Sequence, residues 1–203
     1  MDIVDFFSGL MLDLGWQALR RMVDGSWLSL SERPGWLRLR GGDSLHSLFD
    51  QSLIARRLEE FQVSVRVRLD FSPRDFTQMA GLVCYYHTGM HFYLRETWDE
   101  RAGRVLGVVL TDAGRYEEIK ASEVSINAWE EVYLGAELHF GDLQFIASPD
   151  GQEWQKIGPL LEAWKLSDDY AGGFTGTMIG LCAQDLGGSH CHADFAGFSM
   201  VAV

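Results

Sequence analysis

Along residues 61–71, FQVSVRVRLDF, apolar residues occupy every second position: Phe61, Val63, Val65, Val67, Leu69 and Phe71 alternate with Gln62, Ser64, Arg66, Arg68 and Asp70. A period of two sends successive side chains to opposite faces, so this run predicts a strand with one buried face and one wet face. Weaker forms of the pattern cover SWLSL, GWLRLR, TQMAGLVCYY, HFYLRETW, RVLGVVL, EVYLGAELHF, DLQFIAS, TGTMIGLCAQ and DFAGFSMVAV, and turn residues separate most of them. About ten short strands spaced in this way predict an all-β sandwich or barrel rather than alternating βαβ units.

Helical signals are short. Residues 47–61, SLFDQSLIARRLEEF, place Leu48, Phe49, Leu53, Ile54 and Leu58 near helical spacing, and read equally as an extended segment feeding the long strand. Residues 158–170, GPLLEAWKLSDDY, have room for one helical turn ahead of the Gly-rich AGGFTG. No repeat, low-complexity tract or Pro-rich linker divides the chain, and 203 residues suffice to bury one sizeable core, so a single sandwich is expected.

Composition narrows the partners. The chain is 47% hydrophobic with a formal net charge of −12. It lacks the clustered Lys and Arg that displace counterions from phosphates, which excludes nucleic acid. The opening MDIVDFFSGLMLDLGWQALRRMVDG is moderately apolar, but Asp2, Asp5 and Asp13 interrupt it and no basic segment precedes it. Neither a signal peptide nor a membrane-spanning helix fits it, and a cytoplasmic location is expected. Cys84, Cys182 and Cys191 are too few and too scattered for a secreted disulfide framework, in keeping with reduced thiols.

Candidate chemistry is sparse. Residues 81–98, GLVCYYHTGMHFYLRETW, concentrate a cysteine, two histidines and five aromatics, the density of either a reactive site or a core. His87 and His91 would suit a metal only on one helix face, and here they flank a turn at Thr88-Gly89. The cluster His190, Cys191 and His192, with Cys182 upstream, lacks four-ligand spacing. SPDGQEW, residues 148–154, reads as a tight hairpin with Trp154 packing back on the sheet. With 29 acidic residues, some pair of carboxylates always suits glycoside hydrolysis, so their presence is uninformative. No nucleophile elbow, phosphate loop or zinc helix is present, and no catalytic residue is assigned.

Longer blocks carry more. WLSLSERPGWLRLRGGDSLHSLFDQSLIARRL, FTQMAGLVCYYHTGMHFYLRETWDERAGRVLG, LQFIASPDGQEW and GGFTGTMIGLCAQDLGGSHCHADFAGF run in order from Trp27 to Phe198. They closely resemble the C-terminal concanavalin A-like domain of glycoside hydrolase family 43, as in β-xylosidases. The resemblance implies a two-sheet antiparallel β-sandwich of jelly-roll, concanavalin A-like form over residues 27–203, with residues 1–26 as a linker-like leading segment packed on it. It also implies a non-catalytic accessory role in xylan side-chain and xylo-oligosaccharide degradation. The catalytic carboxylates of such β-xylosidase and α-arabinofuranosidase enzymes lie on a five-bladed β-propeller, for which this chain has no room. In the family the sandwich packs on the propeller and lends an aromatic side chain to the edge of the active-site pocket. The matching block here names Phe174, with Thr175, Met178, Gln184 and Asp185, as the substrate-edge residues. Met178 stands where relatives often carry an aromatic, and Gly135 and His139 depart from a usually more polar hairpin. Under this resemblance the 81–98 stretch is a core hairpin rather than a reactive site.

Two other functions compete. An independent lectin-like module would present exposed rings to sugar, with Trp16, Trp98, Trp129 and Trp164 as candidates. A free-standing glycosidase would need two carboxylates about 5 to 9 Å apart in an open cleft. No cofactor is required. A structural calcium tying the terminal strands would start from Asp5 and Asp194, two of the six to eight oxygens needed. The expected partners are the catalytic propeller, a xylo-oligosaccharide and, through an orphaned docking face, a second copy of the chain.

Overall fold

The computed structural model describes residues 2–203. Fifteen strands follow in order among the described residues: β1 (Ile3–Asp5), β2 (Gln17–Ala18), β3 (Leu28–Ser29), β4 (Leu37–Arg40), β5 (Ser52–Arg57), β6 (Gln62–Asp70), β7 (Gln78–His87), β8 (Met90–Asp99), β9 (Gly103–Asp112), β10 (Arg115–Ser125), β11 (Val132–His139), β12 (Asp142–Ser148), β13 (Gln155–Glu162), β14 (Met178–Asp185) and β15 (His192–Ala202). Between β13 and β14 lie a 3-10 turn, Ala163–Leu166, and one turn of helix, α1 (Asp168–Ala171).

The strands form two antiparallel sheets, the sandwich predicted. One runs β13-β12-β11-β6-β15-β4-β3 with β1 also paired to β15; the other runs β10-β9-β8-β7-β14-β5-β2. The alternation of β6 is realised in full. Val63, Val65, Val67 and Leu69 enter the core with Leu82, Cys84, Phe92, Leu94, Leu134 and Phe195. On the wet face Arg66 pairs with Glu137, Arg68 pairs with Glu131, and Arg66 also lies 4.4 Å above the Trp154 ring, which packs back on the sheet as the hairpin motif predicts.

The hairpin of β7 and β8 is buried on both sides. Ala80, Leu82, Cys84 and Tyr86 face the inter-sheet core, while Val83 and Tyr85 join Leu45, Leu53, Tyr93, Val109 and Cys182 in a second cluster outside the seven-stranded sheet. The loop between β4 and β5, which contributes Leu45, covers that side. Burial holds the Cys84 thiol far above its ordinary value, so it is inert. Gly81 is required here, because a Cβ would stand 2.0 Å from the Leu94 carbonyl oxygen.

One expectation is corrected and two are made definite. Phe61 is 76% exposed rather than core, because pairing starts at Gln62 and the ring stacks on Phe140 at 6.5 Å. Residues 47–61 resolve into β5, whose Leu53 and Ile54 are buried on opposite faces, a double burial that imitates helical spacing. The one helical turn for which residues 158–170 have room is present ahead of the Gly-rich segment as α1, preceded by the 3-10 turn, while the residues before Ala163 form edge strand β13, which accommodates Pro159. An edge strand of the other sheet, β10, is largely exposed on both faces and carries no alternation to read.

The leading segment crosses from one sheet to the other. β1 pairs with β15, β2 pairs with β5, and between them Phe7 and Trp16 are buried, with Trp16 against Phe198 at 4.8 Å. Asp5 locks this arrangement by accepting the Phe7 amide and the Trp16 indole N–H, each at 2.8 Å.

Candidate functional site

The loop from Gly172 to Thr177 joins α1 to β14 and is pinned at both ends. Gly172 takes a left-handed conformation, φ 77°, and closes the helix by donating to the Asp168 carbonyl. Gly176 is also left-handed, φ 69°. Its amide and the Tyr86 hydroxyl both donate to Asp168 Oδ1, at 3.0 and 2.6 Å. These two donors hold the Asp168 carboxyl below its ordinary range. Thr177 donates its hydroxyl to the Leu166 carbonyl, and its own carbonyl accepts from the Leu58 amide. The backbone is therefore fixed while the side chain at its tip is free: Phe174 is 99% exposed.

Beside the loop lies a cavity of about 160 Å³. Thr175 and Met178 line it from the loop and β14, Tyr85 from β7, Arg57 from β5, and Gln17 and Leu19 from the leading segment. Thr177 also lines a second, apolar groove with Phe61, Phe140 and Trp164. This end of the sandwich thus presents four aromatic rings to solvent: Phe61, Phe140, Trp164 and Phe174. Such clustering on a polar chain marks an interaction face.

The structure brings together three of the five residues expected at the site and separates two. Phe174, Thr175 and Met178 share the loop end. Gln184 and Asp185 lie at the far end of β14, about 23 Å along the strand from Met178 at 3.3 Å per residue. Both are buried and structural. Gln184 Oε1 accepts the Leu45 amide, and Asp185 Oδ2 accepts the Ser189 hydroxyl and the Cys191 amide. Proximity in sequence misleads here because a strand carries its two ends apart. Tyr86 and Asp168, which anchor the loop, escaped the sequence reading; the only hint was an aspartate following Ser167 before a Gly pair, the signal of a capped turn.

The other candidates are dispersed. Trp16 is core, Trp98 and Trp129 are half-buried, and Trp98 and Trp164 line separate grooves, so the four form no common platform. His91 is buried with its ring stacked on Tyr85, and His87 contacts the Ala171 carbonyl. Among the described residues no group of three His, Cys, Asp or Glu side chains is placed to hold a metal. Asp194 binds Arg38 through two hydrogen bonds and Arg33 through a third, and Asp5 binds the two donors named above, partners that suit a carboxylate and compete with a cation.

Comparison with known proteins agrees with this architecture. Residues 4–201 match the family model described as the β-xylosidase C-terminal concanavalin A-like domain. The chain is 38% identical over 204 residues to a putative β-xylosidase of Escherichia coli strain K12, covering 96% of this chain and 37% of that protein. It is 40% identical over 185 residues to a xylan 1,3-β-xylosidase of a Vibrio species, covering 89% and 34%. The crystal structure of a xylan β-1,4-xylosidase from Bacillus halodurans C-125 superposes with a TM-score of 0.93 at 42% identity, over 97% of this chain and 38% of that one. The chain therefore spans little more than a third of the length of these relatives, which are longer family 43 proteins in which this domain accompanies a catalytic one. From blocks, register and superposition alike, the chain belongs to the C-terminal concanavalin A-like domain family of glycoside hydrolase family 43 β-xylosidases.

Proposed function

We propose that this chain acts as the non-catalytic accessory domain of a family 43 glycosidase acting on xylosides or arabinosides, docking through its loop end on a catalytic β-propeller and completing that domain's sugar pocket with Phe174. The observation that carries this reading is the pairing of a rigid backbone with a free ring. Tyr86, Asp168 and Thr177 spend their hydrogen bonds holding the loop, yet the side chain at its tip meets only solvent. Ordering a loop around an unpacked aromatic is unrewarded within this chain, and makes sense where the ring packs on something else. Exposed Leu10, Met11 and Leu14 on the leading segment line a separate apolar groove.

The isolated chain is expected to release no nitrophenol from aryl β-xylosides or α-arabinosides at any pH. Sustained turnover that survives repurification would reject the accessory role and restore the free-standing glycosidase.

A further inference from the structure

The loop end carries a cation that the fold leaves unpaired. Arg57 is the last residue of β5 and is exposed. The pleat divides it from its neighbour, because Arg56 turns to the other face, where it meets Asp13 at 2.7 Å and lies 5.4 Å from the Trp16 ring. The Arg57 guanidinium has no ion pair or hydrogen bond among the described residues.

Register sets what surrounds it. Met178 of β14 pairs with Arg57 on one side and with Tyr85 of β7 on the other, so the three form a row across the outer face of the seven-stranded sheet. That row, with Leu19, Leu53 and Ala55, lines the cavity of about 160 Å³ beside the loop. The guanidinium lies against the loop backbone two residues from Phe174, where a Cβ at Gly176 would stand 2.7 Å from Arg57 Nη1. Asp168 does not answer it. That carboxyl is held low first by the Tyr86 hydroxyl and the Gly176 amide, and feels Arg57 only through its field.

In water an exposed guanidinium is well solvated. Pressed into an apolar interface it would lose that solvation, a penalty that only an opposite charge with matching geometry offsets. The centres of protein interfaces are accordingly poor in lysine and rich in arginine, whose planar fork takes a carboxylate through two parallel hydrogen bonds. The cavity, at about 160 Å³, is well below the roughly 300–1,000 Å³ of small-molecule clefts, so it accommodates a side chain rather than an oligosaccharide.

We infer that Arg57 is the polar anchor of the docking face and pairs with an Asp or Glu side chain that the catalytic domain places in this cavity. The inference rests on the docking role proposed above and adds the chemistry of the partner: an apolar contact surface with one carboxylate set opposite Arg57. The relatives that contain this domain carry it beside a catalytic one, which supplies that surface.

The test uses a chimera in which this chain replaces the matching C-terminal region of the Escherichia coli relative. In the isolated chain Arg57→Met is expected to leave the thermal midpoint unchanged, because the side chain has no partner there. In the chimera it is expected to lower kcat/KM for an aryl β-xyloside about tenfold or more, and Arg57→Lys, which keeps the charge and loses the fork, severalfold. Phe174→Ala is measured in parallel. If Phe174→Ala impairs the chimera and Arg57→Met does not, this inference falls while the docking role stands; if neither does, both fall. A loss of stability in the isolated Arg57→Met chain would assign the residue to the fold and overturn the inference as well. A second readout needs no activity. Carbodiimide treatment of the folded Arg57→Lys chimera is expected to join the introduced amine to an Asp or Glu of the catalytic region, located by peptide mass analysis. No link, or a link confined to acidic residues of this chain such as Glu59 or Asp168, would overturn it.

Discussion

Two buried ionisable groups illustrate how single residues set the pH response. Glu96 is fully buried in the core-facing side of β8, its Oε1 taking Arg104 Nε at 2.8 Å, and burial pushes its carboxyl from 4.5 up to about 7 against the attraction of Arg104. His91 is equally buried on the other face, and burial pulls it from 6.5 down to about 4. The signs oppose. Between about pH 4.5 and 7 the native protein holds a proton on Glu96 that the unfolded chain has released, so stability falls as pH rises. Between pH 6.5 and about 4 the unfolded chain protonates a histidine that the native protein keeps neutral, so stability falls as pH falls. Each effect is on the order of 3 kcal/mol across its full window, so between pH 4.5 and 6.5 Glu96 offsets the rise that His91 alone would give the urea midpoint. Glu96→Gln is expected to unmask a steady rise over that range, which His46, also depressed by burial, would steepen; a flat profile in the variant would contradict the assignment. Asp194 offers a second test. Its side chain is 4% exposed and held bidentately by Arg38 at 2.7 and 2.8 Å, with Arg33 at 2.9 Å. Arg38→Met is expected to destabilise by about 3 kcal/mol, because it strips a buried carboxylate of its main partner.

Among the elements, the leading segment matters beyond its length. β1 extends one sheet, β2 extends the other, and Phe7 and Trp16 fill the gap between. Trp16→Ala is expected to cost about 3–5 kcal/mol in equilibrium unfolding. Removal of residues 2–16 should lower the thermal midpoint further, whereas a truncated chain as stable as the original would show the segment to be ornamental. The strands themselves divide by burial into those legible in sequence and those not. β6 was readable because one face is wet and the other dry, and β7, β8, β9 and β14 because their apolar runs are bounded by turns. β10 and β13 lie at sheet edges with little burial, and β5 is buried on both faces, so none of them shows a period of two. The loop ahead of β14 was legible as a Gly-flanked irregular segment with Phe174 at its tip. Its anchors were not, since Tyr86 lies 82 residues from Asp168 and only the sheet brings them together.

Taken whole, the molecule presents four exposed aromatic rings at its loop end, Phe61, Phe140, Trp164 and Phe174. That end is apolar and pinned by hydrogen bonds, the character of a dry protein interface. The chain covers 37% of its Escherichia coli relative. The central claim is that Phe174 completes a sugar pocket belonging to another domain. The most direct measurement replaces the matching C-terminal region of that relative with this chain and compares steady-state hydrolysis of an aryl β-xyloside with and without Phe174→Ala, both proteins being confirmed as folded by thermal unfolding. The account predicts that the intact chimera turns over substrate and that Phe174→Ala raises KM or lowers kcat so that kcat/KM falls about tenfold or more, the loss of one well-packed aromatic contact. Equal kcat/KM in the two proteins would contradict it.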